Sequence, residues 1–175
     1  NDASVPISFS LREGEILGIA GLVGSGRTET LRAIFGADPK ASGSVLLQGR
    51  DISVRSPADA VEAGICLLTE DRKGQGLVLD MPCAANITLT NLAAVSKRGL
   101  LNVAEERAEA QHFVRDMEIK TPSVDRWVRF LSGGTQQKVV LAKWLFRKAK
   151  VLLLDEPTRG VDVGAKVELC TLLWK

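Results

Sequence analysis

"GLVGSGRT" runs from Gly21 to Thr28 and lies between two stretches of different pattern. Before it, "ILGIAGL" (Ile16–Leu22) is a nearly unbroken apolar run, which predicts a strand covered on both faces. After it, "TETLRAIFG" (Thr28–Gly36) places Leu31, Ile34 and Phe35 on one side at helical spacing, with Gly36 as the stop. Strand, glycine-rich turn and helix is the context in which G-x-x-x-x-G-K-[ST] cradles a polyphosphate. The stretch fits at every fixed position except the lysine, which is Arg27. Gly21, Gly24 and Gly26 allow successive N–H groups to turn inward, and the helix start adds its positive end. Arg27 would supply charge to the phosphates, and the Thr28 hydroxyl is placed for Mg²⁺. Arg is planar and forked where Lys is a compact point charge. Nucleotide binding is therefore expected to tolerate the exchange better than hydrolysis. The plainer alternative is a glycine-rich turn with no ligand.

Toward the other end, "VLLLDEPTRGVDVG" (Val151–Gly164) predicts a buried strand with two acids at its carboxyl end. In an open αβ sheet that end is where ligands bind. Asp155 fits a role holding Mg²⁺, and Glu156 fits a general base that polarises a water. Pro157 ends the strand, and Asp162 follows in a glycine-bracketed turn. Solvated acids capping a strand are the alternative.

Between these stretches, "ISFSL" (Ile7–Leu11) alternates like a half-buried strand. "SGSVLLQGRDI" reads as a strand with a turn at Gln48–Gly49. "SPADAVEAG" has Ser56 as N-cap, Pro57 at the first helical position and Gly64 at the end. "ICLLTE" (Ile65–Glu70) is again strand-like and buried. From Ala84 to about Glu118 the pattern is helical with no convincing strand, and Asn102 with Glu105 forms a capping-box analogue. "LSGGTQQK" (Leu131–Lys138) then opens a long helix with two glycines and no charge before Lys138. Alternating strands and helices imply an α/β fold with a mostly parallel sheet covered on both faces.

Bulk composition agrees with a soluble αβ domain and excludes several classes. Hydrophobic content of 45% with 25% charged residues is ordinary for a globular chain. A net charge of +2, spread along the sequence, argues against nucleic acid as a main partner. Cys66, Cys83 and Cys170 have no metal spacing and are an odd number, so they read as reduced, packed thiols. His112 lies in a polar helical stretch and carries no expected role. No apolar run is long enough to span a bilayer, and the first residues lack the pattern of a signal peptide.

The order of phosphate loop, "LSGG" with an amide-rich helix, and apolar strand ending in Asp-Glu resembles the ATP-binding-cassette ATPases over essentially the whole chain. "GLVGSGRTE", "EDRKGQGLVL", "LSGGTQQKVVLAKWL" and "LDEPTRGVDVGAK" are similar to the second cassette of bacterial ribose, galactose and xylose importers. The resemblance implies a P-loop NTPase core with an inserted helical subdomain. Residues 1–70 and 136–175 would form the core, and about 71–135 the lobe bearing the signature. It implies ATP and Mg²⁺ as cofactors, held by Gly21, Gly24, Ser25, Gly26, Arg27, Thr28, Glu29 and Asp155, with Glu156 catalytic and Asp162 close by. Glu70 stands where most cassettes carry a glutamine that senses Mg²⁺ and the transporter. Ser132, Gly133 and Gly134 would grip the γ-phosphate of a second cassette. That would explain glycines at a helix start: they let backbone approach a nucleotide. Thr135 departs from the subfamily's usual Asn.

The implied partners are membrane permease subunits, a second cassette and, indirectly, a periplasmic sugar-binding protein, with no nucleic acid. The implied location is the cytoplasmic face of the inner membrane. The family's adenine-stacking aromatic and its later switch residue are not found, so the chain reads as part of a larger polypeptide. A nucleotide-binding but weakly hydrolysing cassette, and a non-transport cassette acting on DNA or ribosomes, remain open beside the importer.

Overall fold

A computed structural model describes residues 7–40 and 42–173. Its architecture is built around one parallel strand pair and one long buried helix. Strand β3 (Ile65–Leu68) lies beside β6 (Val151–Leu154) in parallel register, Ile65 opposite Val151 through Leu68 opposite Leu154. The ladder continues one step further, where the Asp155 amide donates to the Leu68 carbonyl at 2.9 Å. Both strands therefore end at one level, and Thr69–Glu70 and Asp155–Glu156 emerge side by side. Every residue of β3 is buried, as its unbroken apolar sequence requires.

The remaining elements follow local rules closely. Helix α1 (Arg27–Phe35) ends at Gly36 in the left-handed conformation. Two short antiparallel strands, β1 (Leu46–Leu47) and β2 (Arg50–Asp51), meet through Gln48 (φ 53°) and Gly49 (φ 76°). Positive φ at both central residues is what a two-residue hairpin needs. Helix α2 (Pro57–Ala63) has Ser56 accepting from the Asp59 amide, Pro57 at its first position and Gly64 as its left-handed stop. All three marks agree with the sequence.

A helical group follows. It holds α3 (Cys83–Thr88), a kinked 3₁₀ stretch (Leu89–Val95) and α4 (Val103–Asp116), which Asn102 caps through the Glu105 amide. Inside it lies a hairpin that hydrophobic periodicity does not predict: β4 (Ser96–Lys97) pairs with β5 (Leu100–Leu101) across Arg98 (φ 53°) and Gly99 (φ 79°). Two residues per strand are too few to show alternation. Helix α5 (Gly133–Phe146) packs against α3, and α6 (Val163–Leu173) closes the described chain.

Helix α5 is buried on nearly all sides, the behaviour of a helix with apolar residues around its circumference. Trp144 meets Phe35 of α1 edge-on at 6.3 Å, and Phe146 meets Phe113 of α4 at 6.1 Å. Val139, Val140, Leu141 and Ala142 complete its contribution to the core. Each fully buried Val or Leu among them contributes about 1.5–3 kcal/mol. The two buried lysines of α5 have partners, whereas buried Gln137 Oε1 has none among the described residues. Lys138 pairs with Glu168 of α6 at 2.7 Å. Lys143 donates to the Gly76 carbonyl at 2.6 Å and lies 4.6 Å from the Trp144 ring.

Two strand expectations are corrected. Ile7–Leu11 and Ile16–Leu22 form no ladder, and Ile7, Phe9, Leu11, Ile16, Leu17, Ile19 and Leu22 are exposed. An apolar run is necessary for a buried strand, but the strand exists only when a neighbour takes its N–H and C=O groups. Among the described residues no strand lies beside these runs, and β3–β6 is the parallel pair. Residues 1–6, which bear on the signal-peptide reading, and 174–175, at the end of the last predicted helix, lie outside the description. Cys66 and Cys83 are buried as expected, whereas Cys170 is exposed because it falls on the outer face of α6.

Two substitutions test this packing. Asn86 is buried and holds the approach to α3: its amide nitrogen donates to the carbonyls of Val78, Met81 and Pro82, and its oxygen accepts from the Val78 amide at 2.8 Å. Asn86→Ala strands those groups, and urea unfolding is expected to show a loss of about 2–3 kcal/mol. Burial pushes Lys143 down from 10.5 to about 8. The folded chain therefore sheds that proton before the unfolded chain does. The penalty of the buried charge is full below about pH 8 and is relieved as pH rises toward 10.5. Between pH 7.5 and 9.5 the native protein is expected to gain about 1–2 kcal/mol on Lys143→Met, measured by denaturant titration.

Candidate functional site

The loop before α1 is shaped by its glycines. Gly24 (φ 79°) and Gly26 (φ 84°) occupy the left-handed region that side chains avoid. A Cβ at Gly21 would collide with the Ser25 hydroxyl, so that glycine makes room for the turn. The Ser25 amide closes it on the Leu22 carbonyl at 3.1 Å. Gly26 is the N-cap of α1 and has no side chain to occupy the first-turn amides, so no side chain caps this helix. An uncapped N-terminus keeps its donors and its partial positive charge for an anion.

Thr28 and Asp155 connect the loop to the strand pair. The Thr28 hydroxyl donates to Asp155 Oδ1 at 3.1 Å across 127 residues of sequence. Arg27 stands beside it, Nη2 at 3.7 Å from Glu156 Oε1. Both members of that pair are partly exposed, so water screens it. Glu156 has φ 44°, the left-handed region that a non-glycine residue adopts only under constraint from its surroundings. Asp155 is buried, and burial raises its carboxyl above the ordinary range, aided by the charges of Glu70 and Glu156. The Thr28 hydrogen bond and Arg27 oppose that rise.

The structure thus brings Arg27, Thr28, Asp155 and Glu156 together. Glu29 is exposed on the first turn of α1. Glu70 forms an ion pair with Arg159, beyond the Asp-Glu pair. Asp162 Oδ1 accepts from the Ala165 amide at 2.9 Å and so starts α6. Ser132, Gly133 and Gly134 form the start of α5, where Ser132 is exposed and Gly134 is buried. The Ser132 hydroxyl accepts from the Thr135 amide at 3.3 Å, which makes Ser132 the N-cap of α5. A Cβ at Gly133 would stand 2.7 Å from Arg72 Nη2 and 2.8 Å from the Gly160 carbonyl. One at Gly134 would collide with the Ala165 methyl. Both glycines are therefore needed for close packing within the chain itself.

Sequence reasoning missed Arg72 and Arg159. Arg72 Nη1 donates to the Arg159 carbonyl at 2.9 Å and Nη2 to that of Gly160 at 3.2 Å. The partners are 87 and 88 positions away, so no spacing announces them. Arg72 lies within "EDRKGQGLVL" and Arg159 within "LDEPTRGVDVGAK", and those stretches are the signals the sequence offers.

A divalent cation fits the donors present. The Thr28 hydroxyl and the Asp155 carboxylate are hard oxygens already within hydrogen-bond distance. Among the described residues no group of three or more His, Cys, Asp and Glu could hold a metal unaided. Mg²⁺ bound through one or two protein oxygens, with phosphates and waters supplying the rest, is the arrangement this donor set suits. Among the described residues no helix is long and apolar enough to cross a membrane.

Residues 5–159 match the ABC transporter family. A putative ribose/galactose/methyl galactoside import ATP-binding protein of Burkholderia ambifaria is 55% identical over 96% of this chain and 32% of its own length. A ribose import ATP-binding protein of Rubrobacter xylanophilus is 55% identical over 95% of this chain and 33% of its own. The chain thus spans about a third of the length of the curated relatives it matches. Among solved structures, the dimeric ATP-binding cassette MJ0796 bound to ADP and Pi superposes with a TM-score of 0.77 at 23% identity, covering 94% of this chain and 70% of the other. CbiO1 of Clostridium perfringens gives 0.74 at 25% identity, covering 96% and 64%. The fold is the α/β fold of those cassettes, and the chain belongs to the ABC transporter family.

Proposed function

We propose that the chain is an ATP-binding and ATP-hydrolysing cassette of a bacterial monosaccharide importer, resembling the second cassette of such systems. The observation that carries this reading is the Thr28–Asp155 hydrogen bond, which joins the glycine loop to the strand acid. The names of the two relatives described above, both sugar import ATP-binding proteins, support the substrate class.

In this reading Gly21, Gly24, Ser25, Gly26 and the first-turn amides of α1 receive the triphosphate, with Glu29 flanking them. Arg27 now faces Glu156 and would exchange that carboxylate for phosphate, leaving Glu156 free to accept a proton from water. Thr28 and Asp155 would hold Mg²⁺, which supplies neutralisation of phosphate charge. A raised Asp155 carboxyl is the kind of group that a cation relieves. Ser132, Gly133 and Gly134 would complete the nucleotide site of a second cassette, and Asp162 and Glu70 would lie near the contact.

Residues 1–70 and 136–175 would form the core, and about 71–135 the lobe that meets the permease subunits. The sugar would reach the permease on a periplasmic binding protein. The cassette would sit at the cytoplasmic face of the inner membrane.

A specific observation also supports a weakly hydrolysing variant of this function. Two of the acids expected at the site are engaged by arginines, Glu156 by Arg27 and Glu70 by Arg159. Single-turnover hydrolysis in the complete transport complex distinguishes the two. For an active site, Glu156→Gln lowers the rate by about a hundredfold or more with little change in MgATP affinity, and Arg27→Lys changes it by less than about threefold. For a restrained site, Arg27→Lys raises the rate about tenfold. An unchanged rate in Glu156→Gln removes the active reading.

A further inference from the structure

We propose that Arg72 is a positioning residue that fixes the loop after β6 against the first turn of α5. Through that loop it sets the placement of Glu156 relative to the Ser132–Gly134 tip. The inference rests on the proposed ATPase reading only for its functional consequence. The contacts themselves are independent of it.

Arg72 follows β3 by four residues and is half-buried. Its guanidinium faces two elements at once. Nη1 and Nη2 donate to the carbonyls of Arg159 and Gly160, and Nε donates to Gln136 Oε1 at 3.4 Å. Gln136 is itself buried and passes the connection on, its Nε2 donating to the Val128 carbonyl at 3.0 Å. A second contact runs the other way between the same two segments: the Arg159 guanidinium donates to the Glu70 carboxylate. Residues 70–72 thus hold residues 159–160 twice, once by a side-chain pair and once by the backbone carbonyls.

One glycine is shaped to this contact and another to the turn beside it. Gly160 is called for by its backbone, at φ +65°, since a Cβ there would meet Arg72 Nη1 only at an ordinary 3.5 Å. Gly133 has no space for a Cβ because Arg72 Nη2 and the Gly160 carbonyl fill it. At Gly133 the α5 turn, the guanidinium and the Gly160 carbonyl are therefore closely packed. A planar fork is required to serve two successive carbonyls and a third acceptor, and an ammonium group cannot reproduce it. The loop so held begins at Glu156, whose left-handed backbone depends on its surroundings. Arg72 points at no residue of the glycine loop among its hydrogen-bond partners, so it acts on the chemistry through this loop.

The test uses Arg72→Gln and Arg72→Lys in the complete complex, with two readouts. In nucleotide-free protein, amide exchange of residues 158–162 is expected to speed up about tenfold in Arg72→Gln and by a smaller factor in Arg72→Lys. In the same variants kcat for ATP is expected to fall about tenfold in Arg72→Gln, with KM within about twofold, and to recover in part in Arg72→Lys. Unchanged exchange overturns the clamp. Faster exchange with unchanged kcat overturns the positioning role. A change confined to KM does so too, because it would place Arg72 on the nucleotide. If Arg72→Gln fails to fold, Arg72→Lys keeps the stem and the charge, and the same outcomes decide. Native complex with no ATPase activity counts against the proposed function, and the exchange result then decides the clamp alone.

Discussion

The parallel ladder between β3 and β6 is the constraint on which the rest depends. Four residues from each strand pair in register, and the step at Asp155 extends the ladder to the point where chemistry begins. Because both strands end together, two loops leave the sheet side by side, one carrying Glu70 and Arg72, the other Asp155, Glu156 and Arg159. Burial of β3 and Asp155 then gives the site its electrostatics: a carboxyl held above its ordinary range, with an arginine and a threonine hydroxyl facing it. A one-residue slip in that ladder would reverse the faces and separate Asp155 from Thr28.

Two helix starts illustrate how similar glycine-rich sequences serve different ends. Gly26 opens α1 with no side-chain cap, so the first-turn amides remain available. Ser132 opens α5 and caps it with its own hydroxyl, while Gly133 and Gly134 admit Arg72, Gly160 and Ala165 at close range. Glycine at the first site supplies backbone conformation, and at the second it supplies space. Only Gly24 and Gly26 of the two sets have positive φ, which is the physical difference between them.

Much of this was legible in the sequence because it is local. Ser56, Pro57 and Gly64 mark α2 unambiguously, and Gln48–Gly49 marks a hairpin, since capping and turn chemistry act within a few residues. The acids after "VLLL" could be placed at a strand end for the same reason. Ile16–Leu22 reads as a strand but forms none, because pairing is decided by a neighbour that composition does not disclose. Arg98–Gly99 carried the same turn signal as Gln48–Gly49, but its flanking strands are too short to alternate. Arg72 could be quoted but not assigned: its partners lie at Gln136, Arg159 and Gly160, and the fold alone brings them within reach.

The junction of Thr28 with Asp155 carries the site most directly. A double-mutant cycle of Thr28→Val and Asp155→Asn, read as the magnesium-dependent part of ATP affinity, tests it in one measurement. If the two oxygens share one cation, each single change lowers that affinity by about tenfold or more, and the double variant loses little beyond either. Losses that simply add, or magnesium dependence that survives both changes, would contradict the site as drawn.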